Sequence, residues 1–229
     1  MSVYYEDEFV ELHHGDCRAI RGWTRADVLV TDPPYGMAFQ SNQRKGEKLA
    51  RIKGDADTVV RDAVVSMWGG AKPALLFGRW SVAAPEGERQ RIIWHKSGTS
   101  GMGDLAVPWG PSHEDIHLLG RGWDVAATGQ KRMGSVIVTS GGVGGAHGSE
   151  NMTGHPTPKP VPLMEHLIER CPPGVIADPF AGSGATLIAA RNLGRKAIGV
   201  ELEERYCELI VKRLSQQAFD FSSLDGGAA

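Results

Sequence analysis

Short apolar runs alternate with helical patterns along this chain, and that alternation restricts the fold more than any other feature. Apolar residues recur at helical spacing over 160–171, 185–194 and 203–217. Runs typical of β-strands occur at 9–12, 26–32, 73–78, 91–96, 115–120, 135–139, 174–180 and 196–201. Strands that alternate with helices favour a doubly wound α/β fold, whose ligands bind beyond the carboxyl ends of a mostly parallel sheet.

The length of the chain and its charge limit the number of domains and the kind of partner. The 229 residues, 41% of them hydrophobic, are enough for one α/β domain with a substantial core. We expect a single domain over residues 1–221 and a flexible tail over 222–229. The formal net charge is -2, so a nucleic-acid partner would have to be attracted by local basic patches.

Cysteine spacing and hydropathy indicate the compartment. Cys17, Cys171 and Cys207 lie far apart without a C-x-x-C motif, which argues against a zinc site and against a disulfide framework. No apolar run approaches the roughly 18 residues of a membrane span, and the N-terminus lacks the pattern of a signal peptide. The sequence therefore predicts a cytoplasmic protein with no membrane partner and no metal.

The segment VIADPFAGSGATLIAARNLG has the order strand, glycine turn, helix that is typical of a nucleotide site. Gly182 and Gly184 permit close backbone approach, and Glu201 ends the next strand, where a carboxylate can bind both ribose hydroxyls. Leu187 replaces the third glycine of a dinucleotide fingerprint. Asp178 would repel a pyrophosphate but attract the cationic groups of S-adenosylmethionine. The alternative is that these glycines only start a helix.

The stretch TDPPYG at 31–36 has the chemistry to bind an amine. The Asp32 carboxylate and the Pro33 carbonyl can accept the two hydrogens of an exocyclic base amine and turn its lone pair toward a methyl donor. Pro33 and Pro34 fix the backbone and offer no competing N–H. Tyr35 can stack on a base that has left the duplex. The alternative is a turn in which the prolines only end an edge strand.

Four motifs together resemble those of the DNA amino-methyltransferases, which transfer methyl from S-adenosylmethionine to adenine N6 or cytosine N4. They are TDPPYG, DPFAGSGAT, HPTPKP at 155–160 and GD at 15–16. Asp178 follows Asp32 by 146 residues, an order that resembles the circularly permuted β class. The resemblance spans about residues 9–215 and implies a mostly parallel, seven-stranded, Rossmann-like methyltransferase fold.

The same resemblance implies the residues of the site. Asp16 would accept a hydrogen bond from the cofactor adenine, and Thr157 with Lys159 would border the methionine end. The residues expected to bind S-adenosylmethionine are Asp16, Thr157, Lys159, Asp178, Phe180, Ala181, Gly182, Ser183, Gly184 and Glu201. The residues expected to be catalytic are Asp32, Pro33, Pro34 and Tyr35.

Two basic segments are candidates for contact with DNA. The loop 36–56 follows DPPY directly and could track the backbone and close over a flipped base, although a solvated loop is the alternative. The residues expected to bind DNA are Arg44, Lys45, Lys48, Arg51, Lys53, Lys131 and Arg132. The region 124–154 is short for a target-recognition insert. We therefore expect a short or relaxed recognition sequence, or recognition shared with a second subunit of a homodimer.

His113, Glu114 and His117 match HExxH, a zinc-protease signature when it lies on a helix. Pro111 directly precedes the motif, and DIHLL alternates as a strand does. The sequence therefore predicts a strand there, with no metal.

The function predicted from the sequence is methylation of adenine N6 on a flipped-out base of DNA, within a restriction-modification setting. Aspartate at position 32 favours adenine, because SPPY is more usual among the cytosine-N4 relatives. A cytosine-N4 methyltransferase is one alternative. A non-catalytic module that binds cofactor and DNA for a partner is the other.

Overall fold

The chain forms one β-sheet with helices on both of its faces. A computed structural model describes residues 3–34, 57–97, 106–126, 129, 131–140 and 158–222. The strands are β1 (Tyr5–Glu6), β2 (Val10–His14), β3 (Val28–Thr31), β4 (Ala74–Gly78), β5 (Glu88–Ser97), β6 (His113–Leu119), β7 (Val136–Ser140), β8 (Ile176–Asp178) and β9 (Ala197–Glu201). The helices are α1 (Val59–Trp68), α2 (Val161–Ile168), α3 (Ala185–Asn192) and α4 (Glu204–Ser222), with a 3-10 turn at Gly22–Arg25.

The sheet is mostly parallel, as predicted. Its strand order is β1-β2-β9-β8-β3-β4-β6-β5-β7. Seven strands run in one direction, and only β1 and β6 run against them. Within the described residues the sheet thus has nine strands rather than the seven implied by the resemblance, and its edge strands are the two-residue β1 and β7.

Alternate residues of the central strands pack into two separate cores. Val28 and Val30 of β3 belong to the core formed with α2, α3 and α4. Leu29 belongs to the second core, which contains Val64 and Trp68 of α1. Because successive side chains of a strand point to opposite faces, each core covers one face of the sheet. The predicted doubly wound α/β class is confirmed.

Close packing of α3 on the sheet depends on a glycine. A Cβ atom at Gly199 of β9 would lie 2.6 Å from a methyl carbon of Leu187. No ordinary carbon contact is that short, so a larger residue would require the Leu187 side chain to move. The missing side chain at Gly199 thus leaves room for Leu187 of the helix that follows the glycine loop.

Helix α1 and the C-terminal end of helix α4 differ from what the sequence predicts. Helix α1 was not predicted, because four of its ten residues are valine and β-branched residues favour strands. Burial of Val64 and Trp68 overrides that preference. Helix α4 reaches Ser222, the first residue of the predicted tail, and 223–229 lie outside the described residues. None of the helices within the described ranges is long and apolar enough to cross a membrane.

Candidate active site

The strands that carry the two main motifs are neighbours in the sheet. β3 pairs in parallel with β8, and the hydroxyl of Thr31 donates a 2.6 Å hydrogen bond to Oδ1 of Asp178. Asp32 follows Thr31 directly. The acid of DPPY and the acid of the glycine loop therefore open onto one edge of the sheet, formed by the carboxyl ends of the parallel strands.

Asp178 is a buried acid, with only 2% of its surface exposed. Its Oδ1 also accepts a 3.1 Å hydrogen bond from the backbone N–H of Phe180. Burial raises the pKa of Asp178 to about 6, although hydrogen bonds from Thr186, Thr31 and Phe180 act in the opposite direction. The nearby Asp32 raises it further. An acid held this way is stabilised by a cationic ligand.

The glycine loop has a conformation that requires glycine. Gly182 and Gly184 have φ of 52° and 84°, in the left-handed region. A Cβ atom at Gly184 would also lie 2.8 Å from Cγ1 of Ile210 in α4. Phe180 beside the loop is half-buried, and Ala181 and Ser183 are buried. The absence of a side chain at Gly184 therefore lets the loop pack closely against α4.

Glu201 at the end of β9 holds the glycine loop in place. Its Oε2 accepts a 2.7 Å hydrogen bond from the backbone N–H of Gly182, and its Oε1 accepts a 2.8 Å bond from that of Glu203. Burial raises the pKa of Glu201, and the two backbone donors oppose this shift. Since each carboxylate oxygen can accept a second hydrogen bond, Glu201 retains the capacity to bind hydroxyl groups.

Asp16 lies near Glu201, but it is already engaged. Gly15 donates a 2.8 Å backbone hydrogen bond to the carbonyl of Glu201, which brings the loop after β2 to the end of β9. Arg18 donates hydrogen bonds to both carboxylate oxygens of Asp16, with a shortest distance of 2.6 Å. Hydrogen bonding by Arg18 lowers the pKa of Asp16. An adenine amine would therefore share Asp16 with Arg18.

Lys159 contacts Asp32. Its Nζ lies 2.5 Å from Oδ2 of Asp32 and 3.3 Å from Oε2 of Glu114, and only 8% of the residue is exposed. Burial alone would lower the pKa of Lys159, but the charges of Asp32 and Glu114 outweigh it and raise the pKa. The resemblance assigned Lys159 to the cofactor site. In the structure the ammonium group of Lys159 contacts the carboxylate of Asp32.

Glu114 belongs to this cluster, and sequence reasoning did not assign it there. It lies on β6 and is paired with Lys96 of β5 as well as with Lys159. In the sequence Glu114 was noted as part of HExxH. The motif lies on a strand, as predicted, and the described part of the chain contains no cluster of His, Cys, Asp and Glu that could hold a metal. His117 pairs instead with Glu88, at 2.6 Å.

The remaining predicted residues are only partly within the described structure. Pro33 is buried and Pro34 is half-buried after β3. Lys131 and Arg132 are exposed just before β7 begins, at the opposite end of the parallel strands from Asp32, so the structure does not bring them to the site. The residues that lie outside the described ranges are Tyr35, Arg44, Lys45, Lys48, Arg51, Lys53 and Thr157.

Comparison with known proteins identifies the family. The N6/N4 methyltransferase family model, described as DNA methylase, matches residues 88–212, more than half of the chain. The chain belongs to this DNA methylase family. An Escherichia coli (strain K12) protein named "Putative methylase YubD" is 32% identical over 218 residues, which cover 88% of each chain. The type II methyltransferase M.ScaI of Streptomyces caespitosus is 42% identical over 77 residues, 33% of this chain and 25% of that protein.

Solved structures share the fold of this DNA methylase. The PvuII DNA methyltransferase, titled cytosine-N4-specific, has a TM-score of 0.65 at 14% identity and covers 91% of this chain and 87% of its own. The M1.HpyAVI–SAM complex has a TM-score of 0.61 at 20% identity and covers 89% of this chain and 99% of its own. The predicted Rossmann-like methyltransferase fold is therefore confirmed. The protein is a DNA methyltransferase of the N6/N4 family.

Proposed function

We propose that this DNA methyltransferase transfers a methyl group from S-adenosylmethionine to the N6 amine of an adenine that has left the duplex. The observation that carries the proposal is the hydrogen bond between Thr31 and Asp178, because it joins the ends of the strands that bear DPPY and the glycine loop. A methyl donor held by one motif would then lie beside an amine held by the other.

The residues around the glycine loop fit S-adenosylmethionine. Asp178 would bind a cationic group of the cofactor, Glu201 its ribose hydroxyls and Asp16 its adenine, while the backbone of 181–184 allows close approach. The bound cofactor supplies an electrophilic methyl group. Support comes from the structural neighbour M1.HpyAVI, whose title names a complex with SAM. Thr157 remains part of the proposed pocket.

Asp32 and Pro33 would orient the amine. The nitrogen of an exocyclic amine is a weak nucleophile, because its lone pair is conjugated with the ring. A carboxylate and a fixed carbonyl that accept its two hydrogens direct that lone pair toward the methyl donor. Asp32 is suited to this role because Lys159, with its raised pKa, lies 2.5 Å away and favours the ionised carboxylate. Tyr35 would stack on the base.

Adenine is proposed rather than cytosine because position 32 is aspartate. Both amines present two hydrogens to the same acceptors, so cytosine N4 is the second candidate. It is favoured by the likeness to the PvuII enzyme, whose title states cytosine-N4 specificity.

The experiment is methyl transfer from labelled S-adenosylmethionine to unmethylated DNA, with nucleosides separated by mass. We expect N6-methyladenine from the wild type and none from Asp32→Ala, with DNA binding retained in both. N4-methylcytosine alone would establish the cytosine alternative. If wild type and variant both bind DNA and neither methylates it, the protein is a non-catalytic module.

A further inference from the structure

Glu114 lies within a chain of alternating charges that ends on Asp32. Lys96 pairs with Glu114, Glu114 lies 3.3 Å from Lys159, and Lys159 lies 2.5 Å from Asp32. Two ammonium groups and two carboxylates thus follow one another from β5 to the end of β3. Their charges cancel in sum, which is what a partly desolvated group of ions requires.

Rigid elements hold each ion in this chain. Trp94 of β5 pairs in register with Glu114 of β6, and the backbone N–H of Lys96 donates a 2.8 Å hydrogen bond to the carbonyl of Ser112. The ammonium of Lys96 lies 4.5 Å from the centre of the Trp94 ring, and that of Lys159 lies 4.8 Å from the Phe77 ring. Each lysine therefore contacts both a carboxylate and the face of an aromatic ring, and it would lose both contacts if its side chain moved away.

Lys159 is also fixed through its backbone. It stands between Pro158 and Pro160, which restrict its conformation, and Pro160 precedes α2. Leu163 and Met164 of α2 are buried in the core. The backbone of Lys159 is therefore restrained next to α2, and its side chain extends from there to Asp32.

A contribution to stability alone does not account for this cluster. Buried ion pairs often contribute little to net stability compared with apolar residues of similar volume, because desolvation offsets their attraction. Four segments of the chain nevertheless place four charged groups here, and the last of them is the carboxylate of DPPY. The four charges are instead arranged in a way that can fix the orientation of the Asp32 carboxylate.

We propose that Glu114 is a positioning residue for methyl transfer: it holds Lys159, and Lys159 in turn orients the Asp32 carboxylate toward the amine. The inference rests on the proposed function. Without the charge of Glu114, more of the charge of Lys159 is balanced by Asp32, and the carboxylate is drawn toward the lysine and away from the base.

The experiment compares Glu114→Gln with Glu88→Gln in the full chain. Glu88 is a matched control, because it is also a partly buried carboxylate of the β5–β6 pair that contacts the HExxH motif through His117, but it lies at the opposite end of that pair. We expect Glu114→Gln to lower kcat by about tenfold or more while KM for S-adenosylmethionine and for DNA changes by less than about threefold. Glu88→Gln should retain the wild-type kcat.

The pH profile of kcat separates positioning from general stability. Among the described residues, the charged groups around Asp32 include Lys159, Glu114 and Asp178, with Lys96 one contact further away. Removing the negative charge of Glu114 favours ionised Asp32, so the acid limb of kcat should move to lower pH in Glu114→Gln. Glu114→Asp keeps the charge and should leave the limb in place, with a kcat between those of the wild type and Glu114→Gln.

The outcomes distinguish the inference from the proposed function. If Glu114→Gln has the wild-type kcat and pH profile while Asp32→Ala is inactive, the inference is wrong and the proposed function stands. If Glu114→Gln raises only the KM for S-adenosylmethionine, the inference is also wrong, because Glu114 would then act in cofactor binding. If Glu114→Gln does not fold, Glu114→Asp decides: an intermediate kcat supports the inference, and a wild-type kcat overturns it. Inactivity of the wild type itself would count against the proposed function.

Discussion

At the scale of single residues, two acids at the same edge of the sheet are kept in different electrostatic surroundings. Asp178 is buried among hydroxyl and backbone donors, and burial raises its pKa to about 6. Asp32 is instead paired with the ammonium of Lys159. The first arrangement favours an acid that is stabilised when a cation binds, and the second favours an acid that stays ionised as a hydrogen-bond acceptor.

The affinity for S-adenosylmethionine should depend on the protonation of Asp178. The ionised form attracts a cationic ligand, and in the free protein this form is lost as pH falls through about 6. We expect the affinity measured by calorimetry to rise from about pH 5 to about pH 7 and then level off. Asp178→Asn should abolish this rise and raise Kd by roughly tenfold or more at pH 7. A Kd that is constant over this range in the wild type would contradict the assignment of Asp178 to a cationic group.

The predictable residues are those whose signal is local in sequence. Asp32, Asp178 and Glu201 could be assigned because each follows or ends an apolar strand, and parallel strands end at one edge. Glu114 could not, because its contact with Lys159 depends on how β6 pairs with β4 and β5. Nothing in HExxH indicates that pairing, and the partner is 45 residues away along the chain.

At the scale of elements, α3 is bounded by two glycines whose conformations are alike and whose surroundings differ. Gly184 before the helix and Gly194 after it have φ of 84° and 65°. A Cβ atom at Gly184 would meet Ile210 of α4, whereas none of the described atoms lies within 4 Å of a Cβ atom at Gly194. Alanine substitutions at these two positions can therefore distinguish the cost of backbone strain, which both would have, from the cost of a steric clash, which only Gly184 would have.

Gly194→Ala should destabilise the protein by about 1–2 kcal/mol, which is the cost of a left-handed conformation for a residue with a Cβ atom. Gly184→Ala carries that cost and the clash with Ile210, so we expect a loss of about 2–5 kcal/mol. Urea denaturation of the two variants provides the measurement. Equal losses of unfolding free energy in the two variants would mean that Ile210 of α4 moves aside without a measurable loss of stability.

The elements themselves were predictable to different degrees. The eight predicted strand runs all correspond to strands, and three helices were found from their apolar spacing. The strand β1 could not be predicted, because two residues are too few to show alternation. Helix α1 could not be predicted because its valines favour a strand until Val64 and Trp68 are buried.

At the scale of the whole molecule, the direction of the sheet distinguishes the two basic segments. Residues 36–56 follow β3 and Asp32 in the sequence and lie outside the described residues, whereas Lys131 and Arg132 precede β7 at the edge opposite to Asp32. With a net charge of -2, we expect the protein to attract DNA through local patches. We expect the segment that follows Asp32 in the sequence to contribute more of this attraction than Lys131 and Arg132.

We expect the triple variant Arg44→Ala, Lys45→Ala, Lys48→Ala to raise KM for DNA about tenfold or more and to reduce the salt dependence of binding by up to about three phosphate contacts. The double variant Lys131→Ala, Arg132→Ala should change KM for DNA by less than about threefold. Binding of fluorescent DNA over a series of salt concentrations provides the measurement. The reverse order of effects would place the DNA path along β7.

The reversed direction of β6 has a consequence for how enzymes built on this sheet could diversify. Because β5 ends and β6 begins at the edge of the sheet where Asp32 lies, lengthening the connection between them would add residues at the proposed substrate side. The proposed methyl-donor side, formed by β8, β9 and α3, belongs to other stretches of chain. Access of different bases could therefore be adjusted by insertions between residues 97 and 113 without disturbing the donor side.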